Sequence, residues 1–412
     1  MNFKPISISL SPNVQKQDLA LSLHNLFQPW SYKKGPTIKK LEEKFKKDFG
    51  ASSAWSFNSG RSALLTLLQV LELEKGDEIA IQAFTCNAVP NPIFWVGAKP
   101  LYIDIDESFN LDPQDLKKKL TAKTKVVIIQ HTFGVPAQIE KVQAICKEHK
   151  LILVEDMAHG LGSKYKGKLL GTFGDFAFFS FGRDKVISSV YGGMLASHRK
   201  GLNKKIDKVY KKVRQPSFVW TAQQLFHPLA LSIILPTYKL LIGKLILVGL
   251  QKARLLSMAV HKKERCGKKP GYFPARLPNA LAKLALSQYQ RLSKFNQHRK
   301  KVAKAYKEAL RNSKFKLTNC SKEVVCNFFR YTIRHSQAHQ IIRKAWDQNL
   351  LLGDWYTDVL IPCSSNLKKL GYEPGSCPRA EKASKETLNL PTHVNISKKD
   401  VEEIVNFIKE QG

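Results

Sequence analysis

At 412 residues and 46.7 kDa the chain is longer than one small hydrophobic core requires and long enough for two units that share a cleft. Its 43% hydrophobic and 24% charged residues are those of an ordinary soluble globular protein, which excludes a fibrous repeat, a polytopic membrane protein and a wholly disordered chain. Lys and Arg number 67 against 33 Asp and Glu, a formal charge of +34 that attracts anions such as nucleic acid, anionic headgroups or small phosphorylated molecules. Because basic residues recur along the whole chain, as at 147–150, 204–212 and 299–307, charge alone selects none of the three.

In chain order, the opening MNFKPISISL lacks an apolar run followed by a small-residue cleavage site, so no secretory signal is read. The seven cysteines (Cys86, Cys146, Cys266, Cys320, Cys326, Cys363, Cys377) are odd in number and show no CxxC or Cys/His zinc spacing, which points to a reducing compartment and no metal site. A cytoplasmic protein is expected. Residues 37–49 carry Ile38, Leu41, Phe45 and Phe49 on one side and lysines on the other, the pattern of a helix packed on a neighbour or a partner subunit.

From about 50 to 200, short β-branched and aromatic runs alternate with amphipathic stretches, as in a parallel sheet with helical crossovers. Strands are predicted at Ser53–Phe57, 78–81, 101–103, 126–130, 151–155, 176–181 and 194–197, with helices at 62–73 and 139–149. Ligands of open α/β sheets sit beyond the carboxyl ends of the strands. The polar clusters Asn58-Ser59-Gly60, Gln130-His131 and Glu155-Asp156 fall there.

Beyond 200 the chain turns strongly basic over 202–214 and then Leu-, Ile- and Val-rich over 225–250. Lys239, Lys244, Pro228 and Pro236 interrupt that run and argue against a clean spanning helix. Two readings remain: buried core or a subunit interface, and a surface lying on anionic lipid, flanked by Lys252, Arg254, Lys262 and Lys263. A long helical pattern resumes over 277–310, and shorter strands and helices from 324 onward predict a second, smaller α/β domain. The expected division is a large domain over 1–260 and a small one over 261–412.

The segment Val154-Glu155-Asp156-Met157-Ala158-His159-Gly160 is followed by Gly171-Thr172-Phe173-Gly174-Asp175, by Phe179-Ser180-Phe181-Gly182-Arg183-Asp184-Lys185 and by Gly192-Gly193. A carboxylate ends one strand, a hydroxyl ends a nearby one, and a lysine sits on the loop beyond. Pyridoxal phosphate requires such a set: an amine for its aldehyde, an acid for its ring nitrogen, and hydroxyls with helix N-terminal amides for its phosphate. Asn58-Ser59-Gly60-Arg61-Ser62, between a strand and a helix, offers that phosphate cradle. Each residue also has a plainer reading: Lys185 as one more surface lysine, Asp156 as a helix N-cap, His159 as a structural histidine and Ser59-Gly60 as a turn.

Over about 12–200 and 270–408 the sequence resembles the DegT/DnrJ/EryC1/StrS sugar aminotransferases, fold-type-I enzymes dependent on pyridoxal 5'-phosphate. Further motifs match in order: Ala83-Phe84-Thr85, Tyr102-Ile103-Asp104-Ile105-Asp106, His131-Thr132-Phe133-Gly134-Val135-Pro136, the helix over 288–306 with Arg299, and Cys377-Pro378-Arg379-Ala380-Glu381 leading to Leu388-Asn389-Leu390-Pro391-Thr392-His393. The resemblance implies an aspartate-aminotransferase-like three-layer large domain with a mostly parallel seven-stranded sheet, a smaller C-terminal α/β domain, and a homodimer with active sites at the interface. It implies that Lys185 links to the cofactor and shuttles the proton, that Asp156 pairs with the ring nitrogen, that His159 contacts the ring's 3-oxygen, and that Ser180 with Ser59, Gly60 and Arg61 holds the phosphate. By the same analogy L-glutamate donates the amino group and a nucleotide-linked keto-sugar accepts it, in amino-sugar or surface-glycan synthesis. Relatives that are dehydratases carry histidine in place of the lysine, and Lys185 argues against that activity.

Three departures stand out. The residue after Thr85, often an aromatic that stacks on the ring, is Cys86, so either Phe84 covers the ring or the smaller side chain serves. The family's Gly-Tyr-Asn-Tyr-Arg segment, whose Asn reaches the partner's phosphate, reads Gly271-Tyr272-Phe273-Pro274-Ala275-Arg276, with Pro274 at the Asn position. The region from 200 to 270 is longer and more apolar than usual. Two rival readings are a membrane-surface protein docked through 225–250 and a basic nucleic-acid-binding regulator, although no helix-turn-helix or zinc-finger pattern supports the second.

Overall fold

The computed structural model describes residues 4–362 and 365–411; Cys363 lies outside the described residues. All seven predicted strands form, shifted by at most two residues at either end: β1 (Ser53–Phe57), β2 (Glu78–Gln82), β3 (Lys99–Ile103), β4 (Thr124–Gln130), β5 (Ile152–Asp156), β6 (Phe176–Ser180) and β7 (Gly193–Ser197). They pair in the order β1-β7-β6-β5-β4-β2-β3, parallel throughout except for the two antiparallel pairings of β7. The helices that position the site are α1 (Lys16–Leu26), α2 (Pro36–Asp48), α3 (Gly60–Val70), α4 (Ile139–Glu148), α5 (Lys200–Lys212), α6 (Phe218–Ile234), α7 (Ile242–Lys252), α8 (Asn279–Gln290), α9 (Leu292–Ala309), α10 (Ala338–Asp347) and α11 (Lys398–Glu410).

Successive strand side chains point to opposite faces, and both faces are dry. Phe176 and Phe178 of β6 pack with Leu64 and Leu67 of α3, while Ala177 and Phe179 pack with Leu41 and Phe45 of α2 and with Leu281 of α8. Farther along, Val127, Ile129 and Leu153 are covered by Ile139 and Val142 of α4. The result is the three-layer α/β architecture with helices on both faces. Register then aligns the ends: Phe57 lies opposite Gly193, Gly193 opposite Ser180, Phe178 beside Asp156 and Asp156 beside Gln130. One edge of the sheet therefore gathers Ser180, Asp156 and the turn that follows Phe57.

A smaller unit follows. Helix α9 leads into a three-stranded antiparallel sheet, β8 (Lys316–Leu317), β9 (Tyr331–Arg334) and β10 (Thr387–Leu390), backed by α10 and α11 around Tyr306, Ile333, Leu388, Ile404 and Ile408. The helix expected over 277–310 is two helices, broken at Arg291, whose side chain turns back to the Ser287 carbonyl (3.1 Å) and pairs with Asp18 (2.5 Å). Leu277, Leu281 and Leu284 pack into the large unit, whereas Ile6 packs into the small one beside Leu350. We therefore propose that the division lies at Arg291 rather than at 260/261, with the N-terminal arm crossing to the small unit and residues 356–383 returning to the large one, where Tyr356, Leu360 and Ala380 join the sheet core. Cys320 and Cys326, which no spacing rule paired, are joined by a disulfide, while Cys86, Cys146, Cys266 and Cys377 are free. Pairing of Val324 and Val325 with Tyr165 and Lys164 ties that short loop to the hairpin over 164–169.

Two glycines let the first turn of α3 meet the sheet. A Cβ on Gly60 would lie 3.2 Å from Ser180 Cβ and 3.3 Å from the Phe179 carbonyl. One on Gly193 would lie 2.4 Å from the backbone carbon of Ser59 and 2.5 Å from Gly60 N, contacts that only backbone movement relieves. Gly193→Ala is expected to destabilise the protein by about 1–3 kcal/mol, read as a lower denaturant midpoint, and to weaken cofactor binding because α3 is pushed off the sheet edge.

Candidate active site

At this edge lies a cavity of about 130 Å³. Of the residues expected to form the site, Ser59, Gly60, Arg61, Cys86, Asp156, His159, Ser180 and Lys185 all line it; Phe84 does not. The alternation along β5 explains which of two neighbouring carboxylates is free for chemistry. Glu155 points the other way and accepts from His131 (3.1 Å) and from the amides of Gly171 (2.7 Å), Phe173 (2.7 Å) and Gly174 (2.8 Å). Burial alone would raise its pKa, but His131 and those amides outweigh burial and hold it below the usual carboxylate range. Asp156, the last residue of β5, faces the cavity with one amide, that of Ala158, on its oxygen at 2.9 Å. Burial pushes its pKa up to about 6.

Lys185 is half-buried, and desolvation pulls its amine down to about 8, against smaller opposing pulls from Cys86 and Asp156. At that value about a tenth of the amine is neutral at pH 7, against about one part in three thousand for an ordinary lysine. Its hydrogen-bond partner is His159, with Nζ and Nε2 3.1 Å apart. His159 Nδ1 accepts from the Phe133 amide at 3.3 Å, and burial, with Lys185 and Arg330 nearby, holds the imidazole well below its usual pKa. A neutral ring that accepts at Nδ1 carries its proton on Nε2. Nε2–H therefore donates to the lysine lone pair, which an ammonium lacks, so the histidine reinforces the neutral amine. The ring is held flat between Phe133 (5.8 Å) and Trp355 (5.5 Å).

The backbone of Lys185 is pinned from the small unit and the N-terminal arm. Asn13 Nδ2 donates to the Lys185 carbonyl (2.6 Å), Arg299 donates to Asn13 Oδ1 (2.9 Å) and to the Val186 carbonyl (2.8 Å), and the Ser188 amide donates to Gln288 (2.8 Å). Arg299 and Gln288 belong to a helical motif legible in the sequence, but their target was not. Trp355 and Tyr356, which line the cavity from a late segment packed on the large unit, were missed altogether: no local pattern marks them, and Lys185 Nζ comes within 4.7 Å of the Trp355 ring centre only in three dimensions.

At the other end of the cavity, Ser59 caps α3 by accepting from the Ser62 amide (3.1 Å), leaving the first turn's amides directed at Ser180 and the cavity. Arg61 lines the cavity, but its guanidinium is ion-paired with the fully buried Glu264 and donates to the Ala259 carbonyl (2.8 Å). Its side chain is thus held by the segment after α7, and the anion site consists of backbone and hydroxyls. Phe84 is fully buried with φ +62°, a backbone turn that aims its ring away from the cavity, stacked on Phe109 (5.5 Å) and edge-on to Tyr356 (5.0 Å). The expectation that Phe84 covers a bound ring is therefore corrected: Cys86 stands at the wall and Phe84 supports Tyr356 from behind. Pro274 does not face the cavity; the adjoining Ala275 carbonyl accepts from the Asn58 amide (2.9 Å) and so backs the turn before α3.

The family model of the DegT/DnrJ/EryC1/StrS aminotransferases matches residues 14–409. The chain belongs to this family. It is 37% identical to GDP-perosamine synthase of Escherichia coli O157:H7 over 174 residues, a match spanning 42% of this chain and about half (48%) of that protein. Against the pleiotropic regulatory protein of Geobacillus stearothermophilus it is 27% identical over all of this chain and 98% of the other. The fold matches that of a sugar aminotransferase of Streptococcus pneumoniae in its pyridoxamine phosphate form, with a TM-score of 0.77, 21% identity and coverage of 100% and 98% of the two chains. These matches do not favour a nucleic-acid-binding regulator.

The residues present fit the family's cofactor, pyridoxal 5'-phosphate. A desolvated amine and a buried carboxyl face one cavity, and a glycine-enforced helix start with two hydroxyls lies at its end, the chemistry needed for an aldehyde, a ring nitrogen and a phosphate. The depressed amine makes a sign-specific prediction. Between pH 8 and 10.5 the unfolded chain holds a proton on residue 185 that the cofactor-free folded state lacks, so this group opposes folding below about 8 and ceases to do so as pH rises to 10.5. Cofactor-free Lys185→Met is expected to be more stable than the parent at pH 7 by up to about 3 kcal/mol, with the gap closing toward pH 10.5 in paired chemical denaturations.

Proposed function

We propose that the protein is a pyridoxal-phosphate-dependent aminotransferase that takes an amino group from an amino acid, with L-glutamate the expected donor, and delivers it to a keto-sugar carried on a nucleotide. The reading includes a cytoplasmic homodimer serving amino-sugar or surface-glycan synthesis. The observation that carries it is the desolvated Lys185 amine with a pKa near 8, facing Asp156 across a cavity that ends at the start of α3. When bound there, the cofactor supplies an aldehyde and an electron-accepting ring.

The chain's own residues do the rest. Lys185 Nζ is poised to accept and release a proton near neutral pH, where a group of that pKa works in both directions. His159 Nε2–H fixes the direction of its lone pair. Asp156 is placed to hold a proton on the ring nitrogen, and the positive charge it would meet there brings its own pKa down from about 6. Trp355 and Tyr356 line the cavity beside the amine and limit its contact with water.

Arg330 supplies a reason to expect an acidic donor. It is buried at 2% exposure, lies 3.7 Å over the Trp355 ring, and leaves Nε and Nη2 without partners. Gly353 leaves room for it, since a Cβ there would come within 2.9 Å of Nη1. A buried guanidinium with free donors suits the carboxylate of such a donor.

Purified protein mixed with pyridoxal phosphate is expected to show the cofactor's bound absorbance band, which glutamate bleaches and the correct nucleotide-linked keto-sugar restores. Lys185→Ala should lose the band; if the parent protein shows none, the reading fails. Asp156→Asn should retain the cofactor yet turn over about 10²–10⁴-fold more slowly. Arg330→Gln should raise the KM for the donor by about tenfold or more while leaving the KM for the sugar unchanged.

A further inference from the structure

The 225–250 run divides into two parts with opposite fates. Helix α6 is half buried: Leu225, Leu231 and Ile234 are at most 2% exposed, on the side that packs against α1 and α8. A helix pinned along one side to the large domain cannot cross a bilayer, although Phe218–Leu240 is long and apolar enough to do so by composition. Beyond it the chain reverses at Leu241, and α7 returns along the end of α6. Gly243 permits this, since a Cβ there would sit 2.2 Å from the Ile234 carbonyl and 2.9 Å from the Tyr238 backbone. Gly243 is the only buried residue of α7.

The hairpin's outer side is apolar and exposed: Ile233 is 65% exposed, Leu241 62%, Ile242 53%, Leu245 72% and Val248 47%. Ile242, Leu245 and Ile246 follow the i, i+3, i+4 spacing of a single helix face. A contiguous apolar patch of this kind on a soluble domain marks a surface that is covered in use. What covers it is indicated by charge. From residue 208 to 263 the sequence holds ten Lys or Arg and no Asp or Glu, with Lys239 and Lys244 on the hairpin and Lys252 and Arg254 at its base. Two copies of the hairpin meeting about a twofold axis would bring these cations together with no carboxylate between them. An anionic lipid surface meets both needs, burying the leucines and neutralising the lysines.

We propose that the α6–α7 hairpin docks the enzyme onto anionic lipid, with the outer face of α7 in the headgroup and acyl boundary. The active site is tied to that surface. Directly after α7, the Ser257 carbonyl accepts from Arg183 (2.6 Å), the Met258 carbonyl from the Tyr191 hydroxyl (2.5 Å), and Ala259 and Val260 line the cofactor cavity. Docking therefore ties the part of the cavity wall formed by Ala259 and Val260 to the membrane-bound hairpin.

The test is flotation of the full-length protein with vesicles of phosphatidylcholine plus phosphatidylglycerol and with vesicles of phosphatidylcholine alone. The parent protein should float with the mixed vesicles, less so in high salt, and weakly or not at all with phosphatidylcholine. Leu241→Glu with Leu245→Glu should lower the partition coefficient about a hundredfold, and Lys239→Glu with Lys244→Glu should lower it about tenfold on mixed vesicles only. Both variants should keep the parent melting temperature and cofactor absorbance, because none of these side chains is in the core or the site. A parent protein that stays at the bottom of the gradient overturns the proposal, as does equal flotation of the leucine variant. So does a leucine variant whose only change, by light scattering, is loss of a subunit, which would assign the face to contact between copies.

Discussion

An amine taken out of water loses its proton more readily, and a single hydrogen-bond donor at its lone pair secures the neutral form. Lys185 has both: a half-buried position against the cavity wall, and His159 Nε2 at 3.1 Å. The sheet supplies the burial, because its strands are dry on both faces and end together at one edge, so that a lysine on the loop beyond them lies over a floor of side chains rather than solvent. The histidine supplies the polarity, because its own Nδ1 is tied to backbone and leaves only one direction for its proton. Asp156 completes the arrangement as the one carboxyl of the Glu155-Asp156 pair that strand alternation turns toward the cavity.

Around this centre the protein tolerates buried cations that small cores avoid. Arg299 and Arg330 are each at most 2% exposed, and burial lowers their pKa values to about 9 and about 10. They differ in use. Arg299 spends its donors on Asn13, Asn296 and the Val186 carbonyl, and so fixes the loop that carries Lys185. Arg330 keeps donors free beside the aromatic wall, which suits an anion that comes and goes. Another arginine of the region, Arg61, is neutralised by Glu264, so the segment after α7 closes one side of the cavity with the chain's own charge. The lengthened 200–270 region is thus part of the site as well as a surface feature.

Most of the architecture was legible along the chain. β-branched and aromatic runs located all seven strands, and a carboxylate, a hydroxyl and a lysine at fixed offsets marked residues that line one cavity, since these signals are local and each strand end is a local event. The readings that failed were those in which neighbours in space overrule neighbours in sequence. Phe84 sits next to the site in the chain, but its left-handed backbone turns the ring into the cluster of Phe109 and Tyr356. The helix over 277–310 looked continuous because both halves keep the period, and it breaks where Arg291 is drawn toward Asp18 of α1.

The sequence by itself determined the fold class, the strand positions, the pairing of Lys185 with Asp156 in one site, and the presence of an apolar, basic stretch after residue 225. Tertiary structure alone decided that Trp355, Tyr356 and Arg330 join that site from the last third of the chain, that Asn13 and Arg299 hold the lysine's backbone, and that one part of the apolar stretch is core while the next is surface. The physical reason is distance along the chain: Asn13 meets Lys185 across 172 residues of sequence and Arg299 meets Val186 across 113, and no periodicity or local propensity reports which distant segments the packing of two units will bring into contact.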